Sequence, residues 1–153
     1  MAEKENTLIL ETTKGPVTIE MLPDVAPNHV ARIKELVREG FYDGIVFHRV
    51  IDGFMAQTGC PEGTGTGGSG KKLKAEFNDT VHQRGTVSMA RAANPDSGDS
   101  QFFICFEDAP WLDGQYTAWG QVVEGMENVD KIKRGEPVRD PDQIVKARLA
   151  EDA

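Results

Sequence analysis

Apolar residues recur at every second position in Thr7-Leu8-Ile9-Leu10-Glu11-Thr12 and again in Pro16-Val17-Thr18-Ile19-Glu20-Met21, with only Thr13-Lys14-Gly15 between the two runs. A period of two belongs to a strand with one buried face, and the glycine suits a tight reversal, so the pattern predicts a β-hairpin. Further short strands are expected at Val46–Val50, Phe54–Thr58, Gly85–Ala90, Gln101–Phe106, Tyr116–Val123 and Gln143–Leu149, several of them rich in β-branched and aromatic residues. Helical spacing occurs in two places. Val30, Ile33, Leu36 and Val37 mark a helix over Pro27–Glu39, opened by Pro27 and stopped by Gly40, and Val129 and Ile132 mark a shorter one over Met126–Lys133. Because the helices do not alternate with the strands, the order favours a sandwich or a closed barrel over a doubly wound sheet. Seven or eight strands with two helices suggest a barrel.

A chain of 153 residues is long enough to bury a core without disulfides or metals, and 1–153 is expected to be a single domain. The formal charge of -8 opposes nucleic acid as a partner. No apolar run is long enough to span a bilayer, so no membrane association is expected. The charged start, Met1-Ala2-Glu3-Lys4-Glu5-Asn6, lacks an apolar leader, and the expected setting is cytoplasmic. Cys60 and Cys105 are expected to be two free thiols, as suits a reducing compartment. No coiled-coil repeat is present, and a monomer is the default.

Three motifs carry chemistry elsewhere and fail here on their surroundings. Gly63-Thr64-Gly65-Thr66-Gly67-Gly68 satisfies G-x-G-x-x-G, and Gly65 to Lys71 satisfies most of a phosphate-binding loop. Yet Lys72 stands where such a loop needs a magnesium-holding Ser or Thr, and no helical pattern follows to supply a positive dipole end. Gly98-Asp99-Ser100 looks like a serine-protease nucleophile segment, but a triad also needs a histidine and an aspartate at the serine. His29, His48 and His82 have no metal-ligand spacing with one another or with the cysteines, so neither metal nor cofactor is expected. The sequon Asn78-Asp79-Thr80, without a secretory signal, is read as chance.

Residues 47–59 read Phe-His-Arg-Val-Ile-Asp-Gly-Phe-Met-Ala-Gln-Thr-Gly, which resembles the signature of the cyclophilin family, where Phe-His-Arg leads through Gly-Phe-Met to Gln. Ser100-Gln101-Phe102-Phe103-Ile104 and Trp111-Leu112-Asp113-Gly114 resemble two further family segments, in the family's order, and the likeness runs over about residues 7–149. It implies a closed eight-stranded antiparallel β-barrel capped by two α-helices, with the substrate groove on its outer face. It also implies peptidyl-prolyl cis-trans isomerase activity and a part in protein folding, the partners being proline-containing segments.

Carried over residue by residue, the resemblance makes Arg49 the catalytic group, donating to the substrate amide as it twists. Phe54, Met55, Phe103 and Leu112 would grip the proline ring, with Tyr116 at the edge of the pocket and Trp111 on its rim. Gln57 would orient the arginine, while Ala90, the main chain at Arg91 and the side chain of Gln101 would bind the peptide beside the proline. His48 is taken as structural or peripheral. An arginine between apolar strand residues is hard to bury, so Arg49 by itself reads equally as a solvated face or a functional group. Departures from the family pattern are Asp52, Thr58 and Cys60, the last where an acidic residue is more usual, together with Tyr116 and Arg91 in the groove. Trp111 favours cyclosporin binding, which Tyr116 and Arg91 are expected to weaken. Competing readings are a non-catalytic proline-peptide-binding or chaperone module, and a nucleotide-dependent or serine-dependent enzyme built on the glycine loop or Ser100.

Overall fold

In the first hairpin, β1 (Thr7–Thr12) and β2 (Gly15–Met21) pair antiparallel, with Leu8 opposite Ile19 and Leu10 opposite Val17, all four buried. The computed structural model describes residues 4–152. The first helix, α1 (Pro27–Arg38), buries Val30, Ile33, Leu36 and Val37 as their spacing predicts. It ends in a Schellman turn: Gly40 takes a left-handed conformation, its N–H bonding Val37 O at 3.1 Å while Phe41 N–H bonds Leu36 O at 3.0 Å. Its start is capped from a distance. Ala26 has no polar side chain to offer, and the carboxylate of Glu76 accepts from the backbone of Asn28 at 3.1 Å and of His29 at 2.8 Å.

The remaining elements are β3 (Arg49–Ile51), β4 (Met55–Thr58), β5 (Thr86–Met89), β6 (Phe102–Cys105), β7 (Ala118–Glu124), α2 (Met126–Val129) and β8 (Ile144–Leu149). They form one eight-stranded sheet in the order β3-β4-β6-β5-β7-β2-β1-β8, antiparallel throughout. Val50 and Leu149, from its two ends, belong to the same buried cluster as Phe47, Phe102 and Trp119, so the sheet curls around a common core. Among the described residues no helix is long and apolar enough to cross a membrane.

The expected closed barrel is corrected to a curled, open half-barrel, because β3 and β8 share no ladder. The seam is crossed by an isolated bridge, Val46↔Gln143, and by backbone bonds such as Phe47 N–H to Asp142 O at 2.8 Å. The expected strand over Val46–Val50 begins its ladder only at Arg49, because Tyr42–Ile45 is a turn and leaves the next residues irregular. The second helix is likewise one turn, not the expected Met126–Lys133: past Asp130 the backbone bonds change to spacing three, Lys131 to Asn128 and Ile132 to Val129.

What positions the site is the alternation of side chains in β3, β4 and β6. Val50, Ala56, Phe102 and Ile104 point into the main core. Met55, Phe103 and Cys105 form a second buried cluster on the other face with Ala109 and Leu112, against which Ile51, Phe54, Ala90 and Tyr116 pack. The sheet is therefore apolar on both sides here, although a half-barrel needs only its inner face buried.

Candidate functional site

Register places the polar residues of this outer face in a single row. Arg49 pairs with Gln57, Gln57 with Phe103, and Phe103 with Ser88. Beside the row lies a cavity of about 330 Å³ lined by Arg49, Phe54, Met55, Gln57, Ala90, Arg91, Phe103, Trp111, Leu112 and Tyr116. Every site residue named from the sequence except Gln101 and the peripheral His48 lines it. Phe103 meets Tyr116 edge to face at 5.8 Å, and Phe54 lies 5.8 Å from Trp111, which is 63% exposed and forms the rim. Arg91 stacks its guanidinium 4.5 Å from the centre of the Tyr116 ring and donates to Gln115 O at 2.8 and 3.0 Å. The Arg91 side chain thus pins the pocket wall, a role that nothing in its sequence position signals.

Gln101 stands one step away, in a hydrogen-bonded chain. Arg49 Nη1 donates to Gln57 Oε1 at 3.4 Å, and Gln57 Nε2 donates to Gln101 Oε1 at 2.9 Å. Gln101 Nε2 then donates to the carbonyls of Gly65 at 3.0 Å and Gly67 at 2.9 Å. These residues border a second cavity of about 310 Å³, with Lys72, Ser97 and Asp99 on its wall, that shares Gln57, Ala90 and Arg91 with the first. The two adjoin through these shared residues as one groove, with the large apolar side chains gathered at the first end. The Nε edge of Arg49 is held by Glu136, which accepts from it at 2.6 Å.

The glycine loop has its amides already engaged. Gly65 and Gly67 N–H each donate to Cys60 Sγ at 3.3 Å, and Ser69 and Gly70 N–H donate to the Asp99 carboxylate at 2.9 and 3.0 Å. No helix follows the loop to add a dipole. The sulfur occupies the place of an anion, and although burial raises the pKa of Cys60, the donors from Gly67, Gly65 and Thr64 outweigh it and lower the value to about 7. Cys60 and Cys105 are both free thiols.

Ser100 is fully buried and donates to Gly59 O at 2.7 Å, which makes it a stitch between β4 and β6 rather than a nucleophile. A serine–histidine–aspartate relay does exist elsewhere, and no motif announced it: His82 Nε2 lies 2.9 Å from Ser88 Oγ, and its Nδ1 lies 3.0 Å from Asp113 Oδ1. Ser88 has no exposed surface, so the relay has no access to a substrate. His82 instead stacks behind Phe103 at 6.3 Å and supports the pocket floor. His48 is buried beneath Gly65, and neither ring nitrogen has a hydrogen-bond partner among the described residues. Burial, then the charge of Arg49, lowers its pKa and keeps the ring neutral. Among the described residues no three metal-ligating side chains gather at one point.

Comparison with known proteins agrees with this arrangement. The family model described as cyclophilin type peptidyl-prolyl cis-trans isomerase/CLD matches residues 7–149. A probable peptidyl-prolyl cis-trans isomerase of Brucella suis is 52% identical over 168 residues, covering 99% of this chain and 86% of that one. A peptidyl-prolyl cis-trans isomerase of Synechococcus elongatus is 48% identical over 145 residues, covering 95% and 97%. The crystal structure of a cyclophilin from Hirschia baltica superposes with a TM-score of 0.92 at 32% identity, over 99% of this chain and 76% of that one. A Cryptosporidium parvum cyclophilin-type isomerase, crystallised in the presence of the dipeptide Ala-Pro, gives 0.87 at 28% identity, over 94% and 98%.

Proposed function

The chain belongs to the cyclophilin-type peptidyl-prolyl cis-trans isomerases, and on that footing we propose that Arg49 accelerates rotation about Xaa-Pro bonds by electrostatic stabilisation of the twisted amide. The Xaa-Pro bond resists rotation because the nitrogen lone pair is delocalised into the carbonyl, giving a barrier of roughly 18–20 kcal/mol. Twisting localises the lone pair on nitrogen. A catalyst therefore needs no nucleophile and no cofactor, only groups that bind the twisted form better than either planar form. In this reading the apolar side chains of the groove hold the proline ring, and the guanidinium donates toward the carbonyl oxygen and toward the prolyl nitrogen, on which the lone pair localises. With the ring immobilised, the acyl side turns.

One observation carries the proposal: a charged donor, held by Gln57 and Glu136, opens onto a pocket walled by Phe54, Met55, Phe103, Leu112 and Tyr116. The other end of the groove, with Gln101 and the main chain at Ala90 and Arg91, is read as the seat of the peptide preceding the proline. The same reading makes the chain a single-domain, monomeric, cytoplasmic isomerase that assists folding of proline-containing segments, its two free thiols being those of a reducing compartment. The test is exchange NMR on a short Xaa-Pro peptide with wild type and Arg49→Ala. A large acceleration that collapses in the variant supports the proposal. Peptide binding without acceleration by folded wild type supports a binding module instead.

A further inference from the structure

Arg49 has register neighbours on both flanks. On one side it faces Gln57 in the β3–β4 ladder. On the other, the isolated antiparallel bridge Val50↔Gly135 sets Glu136 directly across from it. The bridge is closed by a reciprocal pair of backbone bonds, Val50 N–H to Gly135 O and Gly135 N–H to Val50 O, each 2.8 Å, and a third bond runs from Val138 N–H to His48 O at 3.2 Å. The loop's shape is fixed by its own backbone. Gly135 sits at φ +154, where an added Cβ would come within 2.8 Å of Pro137 O. The carboxylate is thus delivered to Arg49 by main-chain geometry.

The three edges of the guanidinium are divided accordingly. Nε donates to Glu136 Oε2 at 2.6 Å, Nη1 donates to Gln57 Oε1 at 3.4 Å, and Nη2 has no partner among the described residues. With side chains 43% and 58% exposed, the ion pair is screened by water and contributes little to stability. What the pair does supply is orientation, because a carboxylate on Nε fixes the plane of a fork that could otherwise turn about its long stem.

We propose that Glu136 is a positioning residue for catalysis: it clamps the Nε edge of Arg49 so that the Nη edge faces the apolar pocket throughout the reaction. The inference rests on the reading that Arg49 acts on the prolyl amide. It places a residue outside the groove, from the far end of the sequence, in control of the group that does the chemistry.

Exchange NMR with a short Xaa-Pro peptide tests it on Glu136→Ala, Glu136→Gln, Arg49→Ala and the double variant Arg49→Ala/Glu136→Ala. Glu136→Ala is expected to lower kcat about three- to tenfold with KM changed less than about twofold and an unshifted melting midpoint. Glu136→Gln, which keeps an acceptor, is expected to recover to within about twofold of wild type. In the Arg49→Ala background the second substitution adds no loss, and the Arg49 Nε–H resonance shifts and exchanges faster in Glu136→Ala. Asp52→Ala, which breaks another exposed pair, with Arg134, leaves kcat unchanged. Wild-type kcat in Glu136→Ala, or the same fold loss with and without Arg49, overturns the inference. Full acceleration in Arg49→Ala overturns the reading of Arg49 itself, a distinct outcome.

Discussion

Gln57 stands directly across the β3–β4 ladder from Arg49 and joins it to Gln101, accepting from the guanidinium at 3.4 Å and donating onward at 2.9 Å. Replacing it by alanine removes both contacts while leaving the backbone pairing intact. We predict that Gln57→Ala lowers kcat/KM about tenfold, the consequence of losing ~1.4 kcal/mol of hydrogen bonding at the reacting centre. Exchange NMR measures it, with a urea midpoint as the control for folding. Undiminished turnover would remove Gln57 from the arrangement that serves Arg49.

Trp111 and Trp119 occupy opposite environments, the first 63% exposed on the rim and the second fully buried in the core. Any fluorescence change on ligand addition is therefore predicted to come from Trp111 and to vanish in Trp111→Phe. Cyclosporin is the informative titrant. Binding is predicted, weakened by the Tyr116 and Arg91 wall; a signal that persists in Trp111→Phe contradicts the assignment, and no binding at all contradicts the prediction.

Acid should destabilise the fold in two stages. Burial lowers the pKa of His29, His48 and His82 below 6.5; the carboxylates of Glu76 and Asp113 oppose this at His29 and His82 but do not overcome it, and Arg49 reinforces it at His48. Unfolded histidines bind protons that the folded ones refuse, so this contribution is complete above about pH 6.5 and is lost as pH falls through the lowered values. A second loss follows below about pH 4. The Asp113 carboxylate is held low by the backbone and then the ring of His82, and at Glu76 burial pushes upward but the bonds from His29 and Asn28 prevail. Urea midpoints measured between about pH 8 and pH 3 should fall in both windows. A flat profile through the histidine range would contradict the first stage.

The two thiols should titrate far apart. Cys60, ringed by backbone donors, lies at about 7, whereas burial and the nearby carboxylates of Asp113 and Asp108 push Cys105 up to about 12. Thiolate absorbance is predicted to rise in one step near neutrality that disappears in Cys60→Ser. A step that survives the substitution, or none below the ordinary cysteine range, would show that the loop amides do not stabilise the thiolate.

Short-range patterns carried much of this molecule. The first hairpin and α1 can be read from periodicity, because each depends on neighbours a few positions away, whereas the pocket residues, spread from Arg49 to Tyr116, come only with the resemblance of their motifs to a family. What could not be read depends on partners far apart in the chain: Glu76 capping α1, Asp113 on His82, and Glu136 on Arg49. None has a local signature, since the residues are ordinary surface carboxylates until the fold brings them together. The seam between β3 and β8 has no local signature for the same reason, and α2 is shorter than its pattern predicts because Val129 and Ile132 keep helical spacing in a stretch whose hydrogen bonds are those of turns.

Because the strands β3, β4 and β6 bury one apolar cluster on each face, residue parity separates two design problems along the same backbone. Ile51 and Gln57, half-exposed on the outer face, can be varied for recognition, and Met55 and Phe103 repacked within their own cluster, without substituting a side chain of the half-barrel interior. Val50, Ala56, Phe102 and Ile104 can conversely be repacked for thermostability while the groove keeps its chemistry. The sheet thus offers an engineer two nearly independent alphabets, interleaved one letter at a time.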